Sequence, residues 1–416
     1  MRLRQLLPVL SRTALAGVGV VAGIAIIASH LSSGSVAYAA ETDLIATGAG
    51  QGGGAHVRTF GPDGTDGGVS YFSNGTPSSG ATVAVGDVTG DGAPEIITGT
   101  GPGLEARVQV WNRDGKTLIA ESTPFPGFKG GVNVAVGNVD DSAALEVIVA
   151  AGAGGGPHVK AQRFISGQLS DVFGFYAYDR AFTGGVFVAG APGRIITGAG
   201  AGGGPHVRVF QTQGGAPTLA NEWMAYGSFN GGVRVAAGVV RTDNVIDVVT
   251  AAGAGGGPHV KLWSIAGVEG DGFYAYDPTF RGGAFVAVAN GKRIITGAGS
   301  GGGPHVKVIT FANGDFSTNA SFFAYAREFS GGVRVAGFPL TTNAPPRPPR
   351  PPRRRPPRPP RRPAPASRRF ACPSSALARD LIGRPGGRLV TQRRVVAPTK
   401  ELPLGVFAFL ACLDKR

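Results

Sequence analysis

The stretch IITGAGAGGGPHVRVF at residues 195–210 is repeated along the chain. Close copies are IITGAGSGGGPHVKVI (294–309), VVTAAGAGGGPHVKLW (248–263), IVAAGAGGGPHVK (148–160) and IATGAGQGGGAHVRTF (45–60), and the most divergent copy is IITGTGPGLEARVQVW (96–111). A β-branched run, a glycine stretch and an alternating run together indicate two strands joined by a tight turn, because glycine adopts a positive φ without steric penalty. Six copies at a spacing of roughly 50 residues indicate a repeat array or a propeller.

Two further segments recur in step with this stretch. A glycine pair leads into an apolar strand, with first glycines at Gly130, Gly184, Gly231, Gly282 and Gly331 and a weaker copy at Gly80. An aromatic strand follows at 173–178, 223–226, 273–276 and 322–325, with poorer copies at 71–72 and 124–125. Each repeat therefore contains four predicted strands, which is typical of a propeller blade.

The order of these segments predicts how the ring closes. The array begins on the IATG strand at residue 45 with no glycine-pair strand before it, and residues 331–337 form an extra glycine-pair strand at its end. We therefore predict an all-β fold over residues 40–340, a six-bladed β-propeller of four-stranded blades. In it, residues 331–337 complete the first blade and remove the exposed edges of an open array.

Residues 1–39 have the features of a secretory signal peptide. Arg2, Arg4 and Arg12 form a basic start, an apolar segment follows, and Ala37 and Ala39 fit the small-x-small cleavage rule. The alternative is an uncleaved membrane anchor, although an apolar core of about 17 residues is at the short end for spanning a bilayer. Both the signal peptide and the membrane anchor predict a protein that is secreted or displayed on the surface of a cell, and we expect that cell to be bacterial.

The composition changes sharply after the array. Residues 341–371 are a Pro/Arg-rich segment that favours extended, disordered chain, and the structure of residues 372–416 is not predictable from their pattern. The net charge of +14 belongs to this part, since residues 345–416 carry +15, residues 1–39 carry +3 and the remainder carries −4. A mildly acidic array argues against nucleic acid as the partner.

The Pro/Arg-rich segment has three interpretations. It is a cationic arm that contacts an anionic wall polymer or a membrane surface, a solvated spacer, or the product of a shifted reading frame. Both cysteines, Cys372 and Cys412, also follow the array, so neither a disulfide nor a cysteine-based metal site stabilises the repeats.

The most specific site signal is the nine-residue run DVTGDGAPE at residues 87–95. Oxygen-bearing side chains stand at positions 1, 3, 5 and 9 and glycine at position 6, which is the layout of a loop that wraps a hard cation. Carboxylates come from Asp87, Asp91 and Glu95, a hydroxyl from Thr89 and a backbone carbonyl from Ala93. This irregular oxygen set favours Ca²⁺ over Mg²⁺, and the alternative is an Asp/Gly turn with solvated carboxylates.

The equivalent turns lose these oxygens. Residues 138–146 keep Asp140, Asp141 and Glu146 but have Ser142 in place of the central aspartate, and residues 239–247 keep only Asp243 and Asp247. The turns at 190–194 and 289–293 are too short to hold an ion. One calcium site is therefore expected.

A GDVTGDGAPEII run between two strands of a propeller repeat resembles the FG-GAP/VCBS-type repeat, the family to which the propeller of integrin α chains belongs. The GGVRVA and GAGxGGGPHVKVF signatures resemble its bacterial secreted branch. The resemblance covers residues 40–338 and implies a calcium-stabilised propeller at a cell surface that binds proteins or glycans. The chain departs from the family in losing most cation loops and in having six blades rather than seven.

Five repeats carry a histidine at one position, His56, His158, His206, His259 and His305, with Arg107 in the sixth. They lie on the third strand of each blade, too far from the axis for one metal ion to bridge them, so a structural role, such as a hydrogen bond to the glycine turn, is favoured. The GAGAGGG stretch joins two strands and is followed by neither a helix nor Lys-Ser/Thr, so it is not a phosphate loop.

These observations favour a binding or adhesion module over an enzyme, because no compact set of nucleophile, base and orienting group is visible. The alternatives are a propeller-based extracellular lyase or hydrolase acting on carbohydrate, and a structural surface-layer component. The expected partner is an extracellular protein or glycan, and the expected state is a monomer. We place the ligand face at the end with the glycine turns, where Phe128, Phe182, Phe229, Phe280 and Phe329 also lie; the alternative is that these rings seal the blade interfaces.

Overall fold

The computed structural model describes residues 44–74, 79–242, 245–290 and 292–338. These residues lie in one compact unit. The predicted signal segment and the predicted Pro/Arg-rich and C-terminal segments lie outside the described residues. No helix among the described residues is long and apolar enough to cross a membrane.

The described residues form twenty-four strands in six four-stranded antiparallel sheets. Blade 1 contains β24 (Val333–Gly337), β1 (Ile45–Ala49), β2 (His56–Phe60) and β3 (Asp66–Phe72). Blade 2 contains β4 (Ala81–Gly86), β5 (Glu95–Thr100), β6 (Ala106–Trp111) and β7 (Leu118–Phe125), and blade 3 contains β8 (Val132–Gly137), β9 (Glu146–Ala151), β10 (His158–Ile165) and β11 (Gln168–Tyr176). Blade 4 contains β12 (Val186–Ala191), β13 (Arg194–Ala199), β14 (His206–Gln211) and β15 (Thr218–Met224). Blade 5 contains β16 (Val233–Val239), β17 (Ile246–Ala252), β18 (His259–Ser264) and β19 (Glu269–Tyr274), and blade 6 contains β20 (Ala284–Ala289), β21 (Arg293–Ala298), β22 (His305–Ala312) and β23 (Asp315–Phe323).

The last strand closes the ring as the sequence predicts. β24 pairs antiparallel with β1, with Ile45 opposite Gly337 and Ala49 opposite Val333. The inner strands of neighbouring blades contact one another all the way round, including β20 with β24 and β24 with β4. The fold is therefore a six-bladed β-propeller with no exposed inner edge.

The hydrophobic core is divided among the blade interfaces. The buried apolar side chains of the described residues form six clusters, each drawing on two neighbouring blades. The two inner strands of each blade are buried along almost their whole length, whereas the outermost strands alternate between exposed and half-buried residues. The blades therefore depend on their neighbours for most of their apolar burial.

A glycine pair precedes five of the six inner strands, and Ser79 and Gly80 precede β4, because backbones meet there. A Cβ on Gly231 would lie 2.0 Å from the carbonyl oxygen of Ala254, in the glycine turn of the same blade, and one on Gly232 would lie 2.6 Å from the carbonyl carbon of Gly200 in the preceding blade. Gly232 also has a φ of 78°, a conformation that side chains disfavour. The pair thus lets three stretches of backbone pack together.

A tyrosine links each of four blades to the next. The hydroxyl of Tyr276 in blade 5 donates to the carbonyl of His305 (2.8 Å) and lies 3.2 Å from the Thr296 hydroxyl, both in blade 6. Tyr178, Tyr226 and Tyr325 make the same pair of contacts with His206 and Thr197, His259 and Thr250, and His56 and Thr47. Between blades 2 and 3, Phe125 takes the place of the tyrosine and Val149 that of the threonine, so the hydroxyl and its partner are absent together.

We expect closure by β24 to be required for stability. Ending the chain after Phe329 removes the buried Val333 and Val335 and should cost on the order of 5 kcal/mol, besides exposing the edge of β1 to association. Size-exclusion chromatography and thermal melts should show a destabilised, aggregating protein. The matched control ends after Asn343 and keeps β24; equal melting temperatures for the two truncations would contradict the role of β24.

We expect the tyrosine and threonine to be energetically coupled. Tyr276→Phe leaves a buried carbonyl and hydroxyl short of a partner and should cost about 1–2 kcal/mol. Tyr276→Phe combined with Thr296→Val reproduces the Phe125–Val149 pair, so the double variant should cost less than the sum of the single ones by about 0.5 kcal/mol or more in guanidinium unfolding. Tyr274→Phe, at an exposed ring of the same blade, is the control and should change stability little; strictly additive effects would argue against the link.

Candidate functional site

The predicted cation loop lies between β4 and β5, at the end of the propeller opposite the glycine turns. Carboxylate oxygens of Asp87, Asp91 and Glu95 lie within 4.8 Å of one another. Asp87 accepts hydrogen bonds from the backbone N–H groups of Gly90 (2.7 Å), Asp91 (3.1 Å) and Gly92 (2.9 Å), which curl the loop around its side chain. The loop therefore gathers the three carboxylates named by the sequence.

Two other predicted ligands support the loop from within. The Thr89 hydroxyl donates to Glu95 Oε1 (3.2 Å), and the Ala93 N–H donates to Asp91 Oδ1 (2.8 Å). Glu95 is buried, and this burial, together with the charges of Asp91 and Asp87, raises the pKa of Glu95 to about 7. Among the described residues no lysine or arginine pairs with it. Concentrated, uncompensated oxygen ligands of this kind fit a divalent cation such as Ca²⁺.

The corresponding carboxylates of blades 3 and 5 are balanced by arginine. Arg163 Nε and Nη2 both lie 3.0 Å from Glu146 Oε1, and Arg163 also pairs with Asp140. In blade 5, Arg241 Nη2 lies 2.6 Å from Asp247 Oδ1. Of these three turns with a buried acid, only that of blade 2 has no guanidinium beside it in the described part of the chain.

The repeated histidines begin the third strand of their blades, and all but His206, which has Met224 opposite it, pack between two aromatic rings. His305 stacks on Phe323 of its own blade (centroids 4.8 Å apart) and contacts Tyr276 of the preceding blade (5.3 Å). Its Nε2 lies 2.8 Å from the Ser321 hydroxyl on the fourth strand, which is its hydrogen-bond partner in place of the glycine turn. Burial lowers the pKa of all five histidines, so they serve as neutral packing groups at neutral pH.

The five phenylalanines of the inter-blade linkers lie against the glycine turns. A Cβ on Gly203 or Gly184 would lie 2.8 or 2.4 Å from the Cζ of Phe182, and Phe128, Phe229, Phe280 and Phe329 occupy the same place at Gly155, Gly256, Gly302 and Gly53. The rings thus fill the space that glycine leaves. Their geometry supports a role in sealing the blade interfaces over a role in ligand contact.

The central channel opens at the glycine end, and its mouth is lined by side chains that we did not single out from the sequence. They are the second residues of the six inner strands: Thr82, Asn133, Phe187, Arg234, Phe285 and Arg334. Glycine turns surround a funnel of about 200 Å³ above them. Below them the third residue of every inner strand is valine and the fourth is alanine. Among the first four positions of the six inner strands, only the second carries different polar, aromatic and charged side chains in the different repeats. This second position forms the mouth.

Two guanidinium groups enclose a phenyl ring at the mouth. The Cζ atoms of Arg234 and Arg334, from the blades on either side, lie 4.2 and 4.4 Å from the centroid of Phe285. Arg234 Nη1 donates to the carbonyl of Ala252 (2.9 Å), but its buried Nε has no hydrogen-bond partner. No described carboxylate lies within ion-pair distance of either arginine. A comparison of the five GGxxV segments and the related SGATV segment would have revealed this ring, because the second residue of the strand alone departs from small or apolar residues.

No protein-family model matches the sequence, and no curated protein matches it either. Among solved structures the chain is similar to TolB from Acinetobacter baumannii (TM-score 0.45, 14% identity, covering 72% of this chain and 67% of that one). It is also similar to a provisionally named 6-phosphogluconolactonase from Bacteroides uniformis (TM-score 0.45, 14% identity, 66% and 82%) and to a chain of a mitotic checkpoint complex (TM-score 0.44, 10% identity, 72% and 87%). At these identities the similarity concerns the fold, and no function follows from it.

Proposed function

We propose that the chain is a secreted or cell-surface binding module of the FG-GAP/VCBS type, which recognises an extracellular protein or glycan at the glycine end of its propeller. The observation that carries this proposal is the contrast along the channel. The six repeats keep the same valine and alanine in two successive inner rings, yet differ at the ring that faces the funnel. A scaffold whose repeats carry unlike polar, charged and aromatic side chains at an accessible concave position is suited to recognition.

The chemistry of the mouth is that of binding. It combines two guanidinium groups, an amide and a hydroxyl with two phenyl rings, and a mixture of polar and aromatic groups is typical of small-ligand sites. An extracellular carbohydrate-active enzyme and a surface-layer component are the rival functions. Release of cleaved glycan would favour the first, and ordered lateral assembly the second.

We further infer that one Ca²⁺ binds at Asp87, Thr89, Asp91, Ala93 and Glu95. The argument is the comparison between equivalent turns: an arginine balances Glu146 and Asp247, whereas three carboxylates face one another around Glu95. A divalent cation would supply the missing positive charge. Because this turn lies at the end opposite the funnel, the ion would stiffen the propeller without contacting ligand.

Removal of calcium should destabilise the protein. An ion at 100 times its dissociation constant contributes about 2.7 kcal/mol, so chelator should lower the melting temperature measured by calorimetry. Asp91→Asn should abolish that response. Asp141→Asn makes the same change in the equivalent turn of blade 3 and should leave the response intact; identical melts of the wild type with and without chelator would overturn the calcium site.

The ligand face can be tested with bulky substitutions at exposed, non-glycine turn positions. Ala201→Trp and Ser300→Trp lie beside the funnel end, and Ala216→Trp lies in a turn at the opposite end. We expect binding to bacterial surfaces, and to positive spots on glycan and protein arrays, to fall about tenfold or more for the first two and to persist for Ala216→Trp. The reverse pattern would place the ligand at the other end.

A further inference from the structure

The mouth of the channel divides into two unlike halves. On one side Thr82 and Asn133 direct their donors at neighbouring backbone, to the carbonyls of Val132 (2.7 Å) and Val186 (2.8 Å). On the other side, Phe187, Arg234, Phe285 and Arg334 follow one another around the ring. The positive charge of the mouth is therefore concentrated in one half.

This charge is not balanced within the described residues. Burial lowers the pKa of Arg234 to about 9, with a further contribution from the charge of Arg334, and burial lowers that of Arg334 to about 10. Both arginines therefore remain charged at neutral pH while partly withdrawn from water. Two like charges held at one mouth without an acid are costly for a folded protein.

The arrangement of the pair leaves its hydrogen-bonding edges available. Each guanidinium group lies over the ring of Phe285, a contact that uses no N–H donor, and the one hydrogen bond that the described residues give to either guanidinium runs from Arg234 Nη1 to the carbonyl of Ala252. The buried Arg234 Nε is an unpaired donor, and such donors are normally satisfied in native structures. Within the described residues the protein therefore supplies too few acceptors for the N–H groups of this arginine pair, and a ligand with several acceptor oxygens would supply more.

We propose that the funnel binds an acidic sugar residue, whose carboxylate or phosphate oxygens are held by Arg234 and Arg334. Guanidinium groups recognise both oxyanions through paired N–H donors. A funnel of about 200 Å³ is smaller than the roughly 300–1,000 Å³ of sites for drug-sized ligands, which fits one residue at the end or in a branch of an extracellular glycan. This inference rests on the proposed function and names the chemistry of its ligand.

The surroundings of the arginines favour a sugar over an acidic protein side chain. Thr82 and Asn133 lie across the mouth with polar groups, the funnel wall presents glycine backbone, and Phe187 offers an apolar face. Hydroxyl groups match polar side chains and backbone, and the C–H surface of a sugar ring matches a phenyl face. An aspartate or glutamate side chain would use only the arginines.

Isothermal titration and NMR measure the binding of four probes to the full-length protein. The probes are glucuronate, glucose 6-phosphate, neutral glucose and a short Asp/Glu-rich peptide. We expect one of the two acidic sugars to bind and glucose to bind at least tenfold more weakly; comparing glucuronate with glucose 6-phosphate distinguishes carboxylate from phosphate. Arg234→Gln and Arg334→Gln should each weaken binding about tenfold or more, and the double variant should abolish it.

The control variant is Arg107→Gln, which removes one positive charge from an exposed site on β6 where Arg107 faces Glu121. Its affinity should match that of the wild type. The mouth variants should melt at the same temperature as the wild type or higher, since they relieve an uncompensated charge; this readout separates lost binding from unfolding. Arg334→Lys keeps the charge but loses the planar fork, so its affinity should be intermediate.

Each outcome decides the inference. It is overturned if neither acidic sugar binds, if the double variant binds them as well as the wild type does, or if only the acidic peptide binds. Binding to bacterial surfaces is followed in parallel. If the double variant still binds cells, the proposed function stands and the inference fails; if the wild type binds the acidic sugar but no cell surface or array glycan, the inference stands and the proposed function fails.

Discussion

The close approach of backbones at the glycine pairs is the constraint on which the rest of the propeller depends. Gly231 and Gly232 touch the glycine turn of their own blade and the end of a strand in the preceding one, so no side chain fits between them. This contact sets how closely the six blades pack around the axis. It explains why the third and fourth residues of every inner strand are the small apolar residues valine and alanine. The linker phenylalanines, such as Phe229, fill the remaining space from outside. Abundant glycine is therefore a packing requirement here, not a sign of flexibility.

Buried charge is treated differently at the two ends of the ring. At the end with the turn of residues 87–95, Glu146 and Asp247 are each paired with an arginine, whereas within the described residues the acids around Glu95 have no such partner. At the funnel end, Arg234 and Arg334 are left without acids. A buried charge without a partner weakens the folded state. In the described part of the chain, the acids around Glu95 and the pair of Arg234 and Arg334 both lack a partner of opposite charge, and a ligand of opposite charge at either place would remove that cost.

Much of the fold could be predicted from the sequence because each strand type has its own signature. The cyclic offset of those signatures identified β24 as the partner of β1, and the cation loop was visible because its residues lie within nine positions of one another. The mouth was missed for the opposite reason: Arg234 and Arg334 belong to different repeats and meet only when the ring closes. The pairing of Arg163 with Glu146 was missed similarly, since it depends on the register between β9 and β10.

The pairing of β1 with β24 also determines when this protein can fold. Ile45 and Gly337 are partners in one ladder, yet almost the whole array is synthesised between them. Until β24 is made, blade 1 has only three strands, and the interface between blades 6 and 1 lacks the inner strand of blade 1. Local hairpins therefore form early and the ring closes late. Contacts of such sequence separation are slow to form. The ring therefore closes only after β24 has been made.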